Sequence, residues 1–181
     1  MKNVVLLFMA SIMATSCGNS KKDRNEAQEK TNEKLSAPSP CGFVSQDKIK
    51  EILTIPADAP TEVKDEMRTY PTCFYKWESV NYSTTKTIGG REISLEYPAE
   101  TTLVLVKEAT QAMFTASTKV YKDGVSQDGI GEMAVWGEQM SQLTFLAKGT
   151  MVHVNVKVSA DAASNRAKAV ELASLIIGQL G

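Results

Sequence analysis

Among 181 residues there is one histidine, His153, and that scarcity is the first useful fact about the chain. A Ser/His/Asp triad, a Cys/His pair or a histidine-ligated metal would each have to be built at that position. Cysteine is nearly as sparse, three in all and never spaced C-x-x-C, so neither a thioredoxin-type redox pair nor a paired-cysteine zinc site is expected. Charge of one sign is missing too. Twenty basic residues balance 21 acidic ones, the net charge is −1, and the lysines are interspersed with acids, which argues against nucleic acid as a partner. No cofactor and no metal are expected. Long apolar runs are also absent. The strongest, Val4 to Met13, falls well short of the ~20 residues that cross a bilayer as a helix.

That short run is informative for what it does fit. Lys2 gives a positive start, VVLLFMASIM an apolar core of signal-peptide length, and Ala14-Thr15-Ser16 place small residues directly before Cys17. The segment resembles the bacterial lipobox, with Ala14 where Leu is commonest. The resemblance implies that residues 1–16 are a lipoprotein signal peptide and that Cys17 becomes the lipidated first residue. Two or three acyl chains make a stable anchor where one does not. Gly18 is not the Asp that retains enteric lipoproteins in the inner membrane, and Lys21-Lys22-Asp23 lacks an acidic surface-export run. The expected address is therefore the outer membrane, with the domain in the periplasm.

Residues 17–40 read as the lipidated cysteine and a flexible linker, since from Gly18 to Pro40 only Leu35 is large and apolar. An alternative is a helix over Arg24 to Leu35, which would have no apolar stripe with which to dock. The remaining chain, residues 41–181, is long enough for one core.

Within it, Ser45 reads as the N-cap of a helix that buries Ile49, Ile52 and Leu53 and ends before Pro56. Ile55 to Met67 reads as a polar surface excursion. Cys73 to Val80 alternates, with Cys73, Tyr75 and Trp77 on one face, and a Gly89-Gly90 turn leads to strands over Glu92 to Tyr97 and Thr101 to Lys107. Thr110 to Tyr121 suits a helix burying Met113, Ala116 and Val120. Short strands follow at Met133 to Trp136, Ser141 to Ala147 and Met151 to Val158, the last two joined as a hairpin. A terminal amphipathic helix, Asp161 to Leu180, repeats apolar residues at Ala163, Ala167, Val170, Ala173, Ile177 and Leu180. The expectation is an α+β single domain, a mostly antiparallel sheet packed by about three helices and closed by the C-terminal one.

Lipidation removes Cys17 from the pairing count and leaves a Cys41–Cys73 disulfide. Gly129-Ile-Gly-Glu-Met-Ala134 matches the letters of a dinucleotide fingerprint but lacks the strand before it and the helix within it, so it reads as a tight turn into a strand. Asp123-Gly124 and Asp128-Gly129 lack calcium-loop spacing and read as turns. Candidate binding residues are Tyr75, Trp77, Trp136 and His153, because aromatic side chains supply contact energy at low entropic cost; the competing reading places the rings in the core. His153 alternates with a valine row, Val152 to Val158, that must face the core, which leaves it on the wetter side.

The sequence Cys41-Gly-Phe-Val-Ser before a short helix, Thr72-Cys73-Phe-Tyr-Lys-Trp77, and Asp128-Gly-Ile-Gly-Glu-Met-Ala-Val-Trp136 together resemble a family of small envelope lipoproteins. That family is best known from actinobacteria and has no assigned activity. Three residues rather than one separate Cys73 from Trp77, and Glu132 stands in place of Asp. The resemblance implies an antiparallel sheet backed by helices and brings no catalytic residues. The functional expectation is a lipid-anchored, non-catalytic envelope lipoprotein. It would be held to the membrane by its N-terminal lipid, and its domain would bind a protein or small ligand. The alternatives are an envelope hydrolase whose acids meet only in three dimensions, and a domain that inhibits another enzyme.

Overall fold

The computed structural model describes residues 39–181. The signal segment, Cys17 and the linker as far as residue 38, with its optional helix, lie outside the described residues. What is described is the expected α+β domain: one seven-stranded sheet, antiparallel at every pairing, and three α-helices.

A 3₁₀ turn at Pro40–Gly42 leads into α1 (Gln46–Leu53). Its start follows the sequence reading: the Ser45 hydroxyl accepts the Lys48 N–H at 3.3 Å, and Ile49, Ile52 and Leu53 are buried. The strands are β1 (Glu62–Met67), β2 (Pro71–Ile88), β3 (Arg91–Val106), β4 (Val125–Ser126), β5 (Met133–Gly137), β6 (Gln142–Ala147) and β7 (Thr150–Lys157). The remaining helices are α2 (Gln111–Thr118) and α3 (Ala162–Gln179). Their order across the sheet is β1-β2-β3-β7-β6-β5-β4. After β3 the chain passes through α2 to the far edge and returns by three hairpin steps to pair β7 with β3.

The two faces of the sheet are covered differently. On one, α3 lies over β6 and β7 with α1 beside it, enclosing a core that includes Trp77, Leu103, Trp136, Phe145 and the valines 152, 154 and 156. On the other, α2 covers a small cluster of Val106, Phe114, Leu146 and Met151. Lys168 of α3 reaches back to donate to the Leu53 carbonyl at the end of α1, 3.0 Å away, and burial lowers its pKa. Cys41 and Cys73 form a disulfide, Cα–Cα 5.2 Å, tying the 3₁₀ turn to β2.

Several elements differ from the sequence reading, each for a physical reason. Part of the expected polar excursion is strand β1; its charges marked it as surface, but an edge strand is also surface. Glu92 to Tyr97 and Thr101 to Val106 belong to one strand, with Lys107 in the turn after it, because Pro98, lacking a donor, sits where β3 can tolerate it. In α2 the buried residue is Phe114, while Met113 is 38% exposed and Ala116 is exposed as well; the helix ends at Thr118, so Val120, 64% exposed, lies beyond it. The covered patch is small enough for one aromatic ring. In α3 the buried row is Asn165, Ala169, Leu172, Ala173 and Ile176. Of the expected stripe, Ala173 and Leu180 are buried, Val170 and Ile177 half-buried, and Ala163 and Ala167 exposed. The helix is apolar around most of its girth, so periodicity alone left its rotation open.

The glycine turn behaves as read. Gly131 has φ +57°, and a Cβ there would run into the Leu146 carbonyl, so only glycine fits. Next to it the Glu132 N–H donates to that same carbonyl at 2.8 Å, and its carboxylate accepts the Lys148 N–H at 2.9 Å, pinning the β6–β7 turn.

Candidate ligand groove

Three of the four candidate binding residues are structural. Tyr75, Trp77 and Trp136 are 1%, 0% and 1% exposed. The Tyr75 and Trp77 rings stack with centroids 6.4 Å apart, the tyrosine hydroxyl donates to the Cys41 carbonyl at 3.0 Å, and the indole N–H donates to Thr61 Oγ1 at 2.8 Å. Each ring thus buries its apolar body and satisfies its polar atom internally. Burial pushes the Tyr75 phenol up to about 12, with Asp65 adding to the shift. No ligand reaches these rings without unfolding the core.

His153 lies on the opposite face of β7, half-buried. Its Nδ1 is 2.7 Å from Thr144 Oγ1 and 3.3 Å from Gln142 Nε2, and Thr144 Oγ1 is in turn 2.6 Å from the Tyr121 hydroxyl. Burial draws the imidazole down to about 4, so it is neutral near pH 7, and burial likewise raises the Tyr121 phenol. A histidine beside a hydroxyl is the start of a nucleophilic pair. Thr144, however, is fully buried at 0% exposure and shared with Tyr121, so its oxygen has no approach path for a substrate. The cluster fastens the loop after α2 to the sheet.

An open concavity lies elsewhere, where β2 and β3 leave the sheet. Pairing of β1 with β2 ends at Glu62–Lys76, and pairing of β7 with β3 ends at Lys157–Glu100. Beyond the irregularity between Trp77 and Asn81 the two strands continue alone as a hairpin arm, from Asn81–Pro98 to Ile88–Arg91. Gly89 and Gly90, at φ +60° and +79°, supply the two left-handed residues that a tight hairpin turn with the right twist requires.

The register sorts the arm's side chains into two unlike faces. One carries the pairs Tyr82–Tyr97, Thr84–Leu95, Lys86–Ile93 and Ile88–Arg91; the other carries Asn81–Pro98, Ser83–Glu96, Thr85–Ser94 and Thr87–Glu92. The first is aromatic, aliphatic and basic, the second hydroxylic and acidic. The first face bounds a groove of about 500 Å³, whose other wall comes from the β5–β6 turn and the segment entering α3, including Glu138, Ser141 and Ser159. At its base Lys157 Nζ meets Glu100 Oε1 at 3.0 Å. Tyr82 and Tyr97 form a tilted pair with centroids 6.0 Å apart, and Lys86 Nζ lies 5.9 Å from the Tyr97 ring centroid. The Tyr82 phenol is raised, first by burial and then by the charge of Glu100.

Two half-exposed rings beside fixed donors and acceptors make a surface suited to an amphipathic ligand. The sequence held a usable signal for it. Counting outward from Gly89-Gly90, Tyr82 falls opposite Tyr97, but that pairing follows only once both strands are known to be longer than the sheet. Among the described residues no group of three or more His, Cys, Asp or Glu side chains is placed to share a metal ion, and no helix is long and apolar enough to cross a membrane. Compared with protein-family models, curated proteins and solved structures, the chain matches none.

Proposed function

We propose that this chain is a lipid-anchored, non-catalytic binding module of the bacterial envelope. Cys17 carries the anchor, and the groove under the β2–β3 arm takes the ligand or partner. The groove carries this reading. Aromatic surface, hydrogen-bonding groups and an ion pair converge there at an open site, whereas Tyr75, Trp77 and Trp136 are spent on the core. The compartment follows from the lipobox-like segment and agrees with a disulfide, which persists in oxidising surroundings. An outer-membrane, periplasm-facing placement and kinship with the small envelope lipoproteins belong to the same proposal.

The test is affinity capture from the native envelope with the full chain, run in parallel with Tyr82→Ala and Tyr97→Ala. The proposal expects one or more species retained by the unsubstituted chain and lost by both variants, and expects Cys17→Ser to release the protein from the membrane pellet. Equal capture by the unsubstituted chain and both variants would remove the groove from the account, and a Cys17→Ser protein that stays in the pellet would remove the anchor.

A further inference from the structure

Among the described residues, the three long strand edges that the sheet leaves open are defended unequally. Four of the six residues of β1 are charged, Glu62, Lys64, Asp65 and Glu66, which is how natural sheets discourage pairing with another chain. The β3 edge of the arm carries Arg91, Glu92 and Glu96 and includes Pro98, which has no N–H to offer. The β2 edge of the arm, Asn81 to Ile88, reads NYSTTKTI: one charge, Lys86, among β-branched, aromatic and small polar residues of high strand propensity. Among the described residues its only ladder is the one with β3. Eight residues of strand give about 26 Å of unpaired backbone at ~3.3 Å each.

We infer that this edge is the contact between two copies of the chain, paired antiparallel about a two-fold axis at Thr85. In a two-residue hairpin the residues flanking the turn exchange hydrogen bonds, and the alternation continues inward through Lys86, Thr84 and Tyr82. Ser83, Thr85 and Thr87 are then left with N–H and C=O directed outward. A two-fold axis at Thr85 matches these outward groups to their counterparts across the full free length. Charge and shape both permit that register. Lys86 falls opposite Thr84 of the second copy, not opposite its own equivalent, and Tyr82 falls opposite Ile88, an aromatic against a β-branched residue. An axis at Ser83 would run the pairing into the irregularity before Asn81, and one at Thr87 would run it into the glycine turn. Because Tyr82 bounds the groove, Ile88 of the second copy would lengthen the groove wall, so the inference extends the proposed binding site without depending on its ligand.

The test uses the full chain in its native membranes. Thr85→Cys places two thiols across the axis at Cα separations of about 5.5 Å, within disulfide range. Mild oxidation is expected to convert most of that variant to a covalent dimer, while Glu96→Cys on the other arm edge stays largely uncrosslinked. Sedimentation of the purified full chain is expected to show a dimer that Thr85→Lys converts to monomer, with the melting temperature of the domain unchanged because the arm lies off the core. Equal crosslinking at both positions, crosslinking at neither, or a monomer at every concentration would overturn the inference. These outcomes do not depend on whether Tyr82→Ala captures less ligand.

Discussion

The same two strands, β2 and β3, lead different lives at their two ends. Near Cys73, Tyr75 and Trp77, paired with Leu103, Thr101 and Ala99, every one of these side chains is buried beneath the helical layer. Near Tyr82, Leu95, Ile93 and Ile88 the alternation of apolar residues continues, yet Tyr82 and Leu95 are only half-buried, and Ile93 and Ile88 are 40% and 56% exposed. An alternating strand names a face that favours contact; whether the contact comes from within the chain depends on how far the second layer extends. α3 stops at the body of the sheet, and the arm goes on.

That contrast can be broken or sharpened by substitution. The largest effect is expected at Trp77, whose ring is wholly buried and hydrogen-bonded to Thr61. Trp77→Ala should cost about 3–5 kcal/mol in urea unfolding, while Leu95→Ala in the arm should cost less than about 1 kcal/mol. Equal losses would mean that the arm is part of the core. Next comes the bridge between Cys41 and Cys73, which closes a sequence separation of 32. Replacing both cysteines by serine should lower stability by about 3–4 kcal/mol on the chain-entropy view, read from the same unfolding curves, and reductant should have no effect on that variant.

A smaller effect is expected from pH. Burial holds the His153 imidazole neutral in the folded protein, down to about 4 against the ordinary 6.5. As pH falls through 6.5 the unfolded chain takes up a proton that the folded protein refuses, so stability is lost between about 6.5 and 4 and levels off below. From pH 7 to pH 5 the loss at this residue should be about 2 kcal/mol, and His153→Gln should flatten that part of the curve. A variant as pH-sensitive as the unsubstituted chain would assign the effect to other groups.

The body of the fold was readable because its signals are local. Ser45 announces a helix start, the valines 152, 154 and 156 announce a core face, and Gly129 and Gly131 announce a turn. The rotation of α3 was not readable, since alanines and large aliphatics surround most of its axis and only packing against β6 and β7 selects Asn165, Ala169 and Leu172. Strand β1 was hidden by its own edge protection. For the candidate site the difficulty was of another kind. Aromatic content pointed to Tyr75, Trp77 and Trp136, but burial is a property of layers, and Tyr82 and Tyr97 differ from Tyr75 only in lying past the end of one. His153 was read correctly as belonging to the wetter face, though its bonds to Thr144 and Gln142 involve side chains that alternation cannot bring together in advance.

We propose that the domain folds without its arm and that the arm serves as a contact surface. Replacing residues 81–98 by a two-residue Asn-Gly turn tests it directly, by calorimetry and by capture from the native envelope. The expected result is a single cooperative transition, stability within about 1 kcal/mol of the full domain, and loss of everything the groove retained. A shortened chain that unfolds without cooperativity, or that still captures what the full chain captures, would contradict it.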